Sequence, residues 1–317
     1  MDEPLVWVRS VHFAAAISVA GVLIFATLIA EPAFRKIENT GTLPDFVRRW
    51  LQWIACLSLA VVVLSGAAWL VLKAADMGDV PWREVYSEDL LTTVLLGTDF
   101  GQDWIVRSAL AVLLAMALIA ARPARASYSP ALAVACVLSA ALAGTLVWAG
   151  HAAATPDGLG IVHIASDILH LLTAAAWVGA LVPLALLLGA SLTCADAPSL
   201  ALAREAVERF STLGIISVSG LLVTGIINSW AILGSPAALV DTDYGRLLLF
   251  KVALFLAMLS LAAVNRFRLT PILQQKLNAS AATDAMRHLR AHTILEAALG
   301  LLVVAVVGLL GTLSPSA

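Results

Sequence analysis

Residues 5–30 read LVWVRSVHFAAAISVAGVLIFATLIA, an apolar run long enough to cross a membrane as a helix. Seven further runs of spanning length follow, at roughly 51–72, 104–121, 131–149, 161–189, 211–233, 246–264 and 292–313. The 317 residues are 61% hydrophobic and only 13% charged, which is unlike the composition of a soluble domain. The sequence therefore predicts an all-α polytopic membrane protein with eight transmembrane helices, embedded in lipid.

The basic residues predict the orientation of these helices. Thirteen of the 19 Lys and Arg residues fall on the side reached after the first, third, fifth and seventh helices. The positive-inside rule therefore places both termini outside. The net charge of −2 and the lack of a basic tract give no indication of nucleic-acid binding. An interfacial aromatic belt is predicted at the outer helix ends, formed by Trp7, Trp69, Trp82, Trp104, Trp148 and Trp230.

Motifs of the first half of the chain recur in the second half in the same order. TDFG at 98–101 recurs as TDYG at 242–245, and a basic residue follows at the same distance. We predict two tandem four-helix repeats, 1–150 and 151–317, which share one orientation because four is even. Three further pairs recur in the same order: Ser65-Gly66 with Thr224-Gly225, His12 with His170, and Gly21 with Gly179.

Four of the six histidines fall at or near the predicted outer helix ends. His163, Asp167 and His170 are spaced i, i+4, i+7 and so share one face of the fifth helix. His12 matches His170 in the repeat, and His151 closes the fourth helix. Ionisable groups at membrane depth indicate function, and imidazole is the commonest metal ligand. We predict a metal ion held by His12, His163 and His170, with His151 at the mouth and Asp167 as a ligand or orienting group.

Simpler roles remain open for several of these side chains. A membrane histidine can serve only as a hydrogen-bonding group between helices, and Asp167 could pair with Arg9 or Lys251. Asn228 and Lys251 either line the approach to the site or make structural hydrogen bonds.

Glu296 lies near the start of the predicted eighth helix, on the inner side. We expect it to form an ion pair with Arg266 or Arg268, and a role in an exit path is the alternative.

The predicted site leaves the metal and the function open. Imidazole suits copper, zinc, nickel and haem iron alike. The sequence has no GxxxxGK[ST] loop and no DKTG motif, so an ATP-driven pump is not expected. One alternative is a redox protein or enzyme with haem b, for which His12 and His170 would be axial ligands. Another is a scaffold that docks a partner through residues 73–103.

Several stretches carry a resemblance to a known family. They are Asp167–His170 running to Trp177-Val178-Gly179, Arg209-Phe210 leading to Thr224-Gly225, Tyr244-Gly245 to Lys251, and Asn265-Arg266-Phe267 followed by Pro271. With the His12 helix, the Thr98–Arg107 segment and Glu296, the sequence resembles the CopD/PcoD copper-resistance membrane proteins.

The resemblance implies a multi-pass protein of the bacterial inner membrane that handles copper and is not an enzyme. Both termini would then be periplasmic, and a periplasmic copper-binding protein of the CopC type would be the partner. Transport direction, copper oxidation state and any homo-oligomer are left open by the sequence.

Overall fold

The computed structural model describes residues 2–37, 40–86, 89–122, 128–149, 157–274 and 279–313, and within them it has helices and no strand. Eight helices of the described part are long and apolar enough to cross a membrane. The predicted all-α fold with eight spans is therefore confirmed. The helices are α1 (Pro4–Lys36), α2 (Leu43–Gly78), α3 (Asp99–Ala120), α4 (Pro130–Trp148), α5 (Gly160–Cys194), α6 (Ala197–Leu233), α7 (Asp243–Gln274) and α8 (Ser280–Leu310).

Consecutive helices run in opposite directions, so the start of α1 and the end of α8 lie at one end of the bundle. Arg48 of α2 binds Glu31 of α1 at 2.7 Å, and Gly308 near the end of α8 packs against Ser10 near the start of α1. We call the end of the bundle that holds the start of α1 and the end of α8 the termini side. The opposite end, where Arg48 lies, is the arginine side. That the termini side faces outward stays a prediction from the charge count.

Helices α1 and α5 cross where Gly21 meets Gly179. A Cβ atom on Gly21 would collide with Gly179 and with the carbonyl oxygen of Ala175, and one on Gly179 would collide with Gly21 and the carbonyl of Ile17. Each glycine therefore contacts the other and the residue four positions before it. Such reciprocity is what a two-fold relation between the predicted repeats requires. The boundary of the repeats at residue 150 stays a prediction, because residues 150–156 lie outside the described part.

The TD[FY]G motif has a structural role in each half. The hydroxyl of Thr98 accepts a hydrogen bond from the backbone N–H of Gly101 at 3.0 Å, and that of Thr242 accepts one from Gly245 at 2.9 Å. Each threonine is thus the N-cap of its helix, α3 or α7, and the following Asp places negative charge in the first turn. The motif sets where these helices begin.

Three of the long helices contain a π-helical segment. These segments are Ala26–Ala30 in α1, Ala175–Gly179 in α5 and Asn265–Leu269 in α7. A π turn inserts one extra residue into the helix and occurs often near functional sites. The segment in α5 ends at the helix crossing, and the segment in α7 begins with Asn265, whose side chain takes part in a buried polar cluster described below.

Candidate functional site

His170 is held by a threonine of the neighbouring helix α6. Its Nδ1 lies 2.9 Å from the Oγ1 of Thr224, and that same hydroxyl donates its hydrogen to the carbonyl of Gly220 at 2.6 Å. Because the only hydroxyl hydrogen is used on the backbone, Oγ1 acts as acceptor and Nδ1 of His170 must donate. The neutral ring then carries its lone pair on Nε2, which is the nitrogen left for a metal ion.

His12 in the first half has the same arrangement. Its Nδ1 lies 3.1 Å from the Oγ of Ser65 on α2, and the Ser65 hydroxyl donates to the carbonyl of Val61 at 2.6 Å. The hydroxyl residue precedes a glycine in both helices, as Ser65-Gly66 and Thr224-Gly225. The sequence showed these pairs as repeat markers, whereas the structure shows that they orient the two matched histidines.

Aromatic side chains enclose His12. The rings of Trp69 and Trp104 meet its imidazole edge-on, at centroid distances of 5.4 and 5.5 Å. The guanidinium of Arg107 lies over both indoles and pairs with Asp103 at 2.6 Å. His12 is 1% exposed. The first-half histidine therefore lies in a closed aromatic cage.

Two members of the predicted aromatic belt belong to this cage. Trp69 and Trp104 are 2% and 6% exposed, so their assignment to the lipid interface is wrong. Their rings find partners inside the first four helices, where the indole edges pack against an imidazole and a guanidinium. Exposed indoles near the predicted interface are those of Trp7, Trp82, Trp148 and Trp230.

His170 has polar neighbours instead. The amide of Asn228 donates to the carboxylate of Asp167 at 3.1 Å, and Lys251 is close enough to interact electrostatically with Asp167 and His170. At the positions matched to Trp69 and Trp104 the second half has Asn228 and Leu248. The second half thus replaces the aromatic cage by a carboxylate, an amide and an ammonium group. Asn228 and Lys251 thus lie beside Asp167 of α5, and whether they line an approach or make only structural contacts stays open.

His163 lies on the same face of α5 and is buried, with Asp167 between it and His170. His151 lies outside the described residues. Among the residues that the structure does describe, no group of three or more His, Cys, Asp or Glu side chains is arranged to hold a metal ion. A single ion shared by His12, His163 and His170 therefore stays a prediction.

Glu296 lies midway along α8 rather than at the start of the helix, and it has a different partner from the expected one. Its carboxylate accepts a hydrogen bond from the amide of Asn265 at 2.7 Å, and Arg266 bonds instead to the hydroxyl of Ser211. In the described part of the chain the expected ion pair with Arg266 or Arg268 does not form. Both arginines lie in the exposed π segment of α7, while Glu296 faces inward from α8.

Known copper proteins match this chain along nearly its whole length. Residues 204–310 match the family described as copper resistance protein D, and residues 1–161 match the copper resistance protein D-like N-terminal domain. Copper resistance protein D of Pseudomonas syringae pv. tomato is 31% identical over 99% of this chain and 98% of its own length. The chain belongs to the copper resistance protein D family. The resemblance seen in the sequence is thereby confirmed.

Two other relatives extend the comparison. Inner membrane protein YebZ of Escherichia coli K12 is 30% identical over 97% of both chains. Copper transport protein CutJ of Bacillus subtilis is 32% identical over 66% of this chain, which corresponds to 38% of its own length. With eight membrane-length helices and such relatives, this member of the copper resistance protein D family is a multi-pass inner-membrane protein.

Proposed function

We propose that the protein takes copper from the periplasmic side through its histidine site and passes the ion across the membrane or to a partner. In this proposal the termini side faces the periplasm, as the charge count predicts. Copper is the cargo of a carrier, and the protein is not an enzyme. The names of two relatives, copper resistance protein D and copper transport protein CutJ, support copper as the ion.

The observation that carries the proposal is the fixed orientation of two matched imidazoles. Both His12 and His170 donate from Nδ1 to a hydroxyl whose own hydrogen is already used. Each ring therefore presents Nε2 as its basic nitrogen before any ion arrives. A purely structural hydrogen bond would not need the same tautomer in both halves. Pre-orientation of this kind raises metal affinity, because the ring need not reorganise on binding.

The polar surroundings of His170 make the second half the primary copper site of the proposal. His163, Asp167 and His170 supply two imidazoles and a carboxylate along one face of α5. Asn228 holds the Asp167 carboxylate, which can then bind the ion or compensate its charge. His12, enclosed by indoles, receives the ion later or serves as a second ligand, and His151 is the proposed ligand at the mouth.

A periplasmic copper-binding protein of the CopC type is the proposed donor of copper. The segment after α2 lies on the termini side and exposes the aromatic rings of Trp82 and Tyr86 and the carboxylate of Asp79. An aromatic and acidic surface of this kind can contact a protein carrying a bound cation. Site-specific cross-linking from position 82 to a copper-loaded donor protein would test this contact.

Copper analysis of purified protein tests the histidine site. We expect His170→Ala to lower the bound copper more than His12→Ala does, and the double variant to lose it. His288→Ala is the matched control, since His288 is an exposed histidine on the arginine side. Equal copper content in the wild type and in the double variant would overturn the proposal. A Soret absorption band in the purified protein would support haem instead.

A further inference from the structure

Three polar side chains form a continuous hydrogen-bonded chain between α7 and α8, which runs from the middle of α8 toward the arginine side. The amide nitrogen of Asn265 donates to Oε1 of Glu296 at 2.7 Å, and Nδ1 of His292 lies 2.7 Å from the amide oxygen of Asn265. Because an amide oxygen can only accept, His292 donates from Nδ1. Glu296 is 2% exposed, whereas His292 is half-buried. The chain therefore leads from a buried carboxyl group toward the surface.

Local geometry places these three groups together. His292 and Glu296 are four residues apart and share one face of α8. Asn265 is the first residue of the π segment Asn265–Leu269, and it bridges both of them from α7. The threonine hydroxyl of Thr270 donates to the carbonyl of Asn265 at 2.8 Å, which satisfies one of the backbone acceptors of this irregular turn. The cluster is thus built into the helix pair by defined contacts.

No cation in the described residues neutralises Glu296. On α7, Arg266 binds Ser211, and Arg268 is exposed. On α8, Arg287 pairs with Asp284, Arg290 lies over Gly189 of α5, and His288 is exposed.

Among the described residues of the other helices packed against α8, no cation forms an ion pair or a hydrogen bond with Glu296. On α1, Glu31 pairs with Arg48, Lys36 pairs with Glu205, and Arg35 is exposed. Residues 180–193 of α5 include no ionisable side chain. A buried carboxylate with only an amide and an imidazole near it is costly in a membrane bundle, unless it binds a proton or a cation.

A proton fits this site better than a metal ion. The amide nitrogen of Asn265 points at the carboxyl group, and its oxygen is occupied by the N–H of His292. A metal ion would need these donor atoms free and convergent, whereas a proton needs only one carboxyl oxygen. Addition of a proton to Glu296 turns the carboxylate into a neutral acid, and loss of that proton returns the charge.

We infer that Glu296 is a proton-binding site that is held by Asn265, whose amide His292 orients, and that the protonation of Glu296 changes as copper is transferred. The coupling to copper rests on the proposed function, while the protonation of Glu296 does not. The second half of the bundle would then link copper movement to the binding and release of a proton. The proton gradient across the membrane would thereby drive the movement of copper.

Infrared difference spectroscopy of the copper-free protein in detergent tests the protonation. A change of pH should produce a carboxylic acid carbonyl band in the wild type that is absent in Glu296→Gln. The band should persist at a shifted frequency in Asn265→Ala, because the carboxyl group remains and only its hydrogen bond is lost. Glu208→Gln, which changes an exposed glutamate of α6, should leave the band unchanged.

The two variants, Glu296→Gln and Asn265→Ala, distinguish a failure to fold from a loss of the protonated carboxyl group. If Glu296→Gln does not fold, the band shift in Asn265→Ala still reports on the same carboxyl group. A difference spectrum that is identical in the wild type, Glu296→Gln and Asn265→Ala would overturn the proton site.

Proteoliposomes loaded with a pH-sensitive dye test the coupling. External copper should cause proton movement with the wild type and with Glu208→Gln, and none with Glu296→Gln, although that variant still binds copper. Copper-driven proton movement that survives in Glu296→Gln would overturn the coupling. Failure of the wild type to bind copper at all would count against the proposed histidine site, and the infrared result would remain independent of it.

Discussion

Replacement of Thr224 by valine removes one oxygen atom that orients His170. Valine keeps the branched shape of threonine, so the packing between α5 and α6 should change little. The Nδ1 of His170 would lose the acceptor that lies 2.9 Å away, while the bond from Thr224 to the carbonyl of Gly220 would disappear as well. The ring would then be free to exchange tautomers and to rotate, and Nε2 would no longer be fixed as the basic nitrogen.

The expected loss of copper affinity in Thr224→Val has an approximate size. Loss of a group that orients a metal-binding histidine typically weakens metal binding by about 10- to 100-fold. That range corresponds to roughly 1.4–2.7 kcal/mol of binding free energy. The loss of an interhelical side-chain hydrogen bond in a membrane protein costs only about 0.6 kcal/mol of folding stability. Thr224→Val should therefore fold, and its defect should appear in copper affinity.

Competition with a coloured copper chelator measures this affinity in purified, detergent-solubilised protein. Thr224→Ser is the matched control, because serine retains the hydroxyl and should bind copper nearly as the wild type does. Ser65→Ala makes the same test for His12 in the first half. The reasoning would be refuted if Thr224→Val and Thr224→Ser bound copper with equal affinity, since the hydroxyl would then have no part in orienting the site.

Three further predictions concern the helix crossing, the start of α6 and the effect of acid. Gly21→Val should lower the melting temperature in detergent, because overpacking costs about 1–3 kcal/mol. Gly214→Ala is the control and should leave the melting temperature unchanged, because its methyl group meets open space. Equal melting temperatures of the two variants would contradict the close crossing. The carboxylate of Asp196 accepts a hydrogen bond from the N–H of Ser199 at 2.8 Å, and the hydroxyl and the N–H of Ser199 together hold the pKa of Asp196 below its ordinary value. The contribution of Asp196 to folding stability is thus present above the ordinary carboxyl pKa of about 3.9 and is lost as the pH falls through the lowered pKa. Asp196→Ala should therefore flatten the acid unfolding curve in this range. An unchanged curve would argue against the cap. Bound copper should be released on acidification, because an imidazole must be neutral to bind a metal ion; equal copper content at every point of an equilibrium dialysis series from roughly pH 7 to pH 3 would contradict histidine ligands.

The sequence alone predicted the eight spans, because membrane insertion depends on the summed apolarity of a local segment. It also predicted that His163, Asp167 and His170 share a face, since helical periodicity follows from the backbone. The family resemblance was visible from short motifs of α5 to α8. The TD[FY]G motif was recognised as a repeat marker, and its capping role became clear only from the hydrogen bond of each threonine to the glycine N–H.

Tertiary structure decided which side chains meet. The serine that orients His12 lies 53 residues away along the chain, and the threonine that orients His170 lies 54 residues away. Trp69 and Trp104 face His12 rather than lipid, and Glu296 bonds to Asn265 rather than to an arginine. In helices that are apolar almost all round, lipid is as favourable a neighbour as protein, so hydropathy does not encode the rotation of each helix about its axis. That rotation follows from close packing, such as the contact of Gly21 with Gly179, and it determines which polar groups become partners.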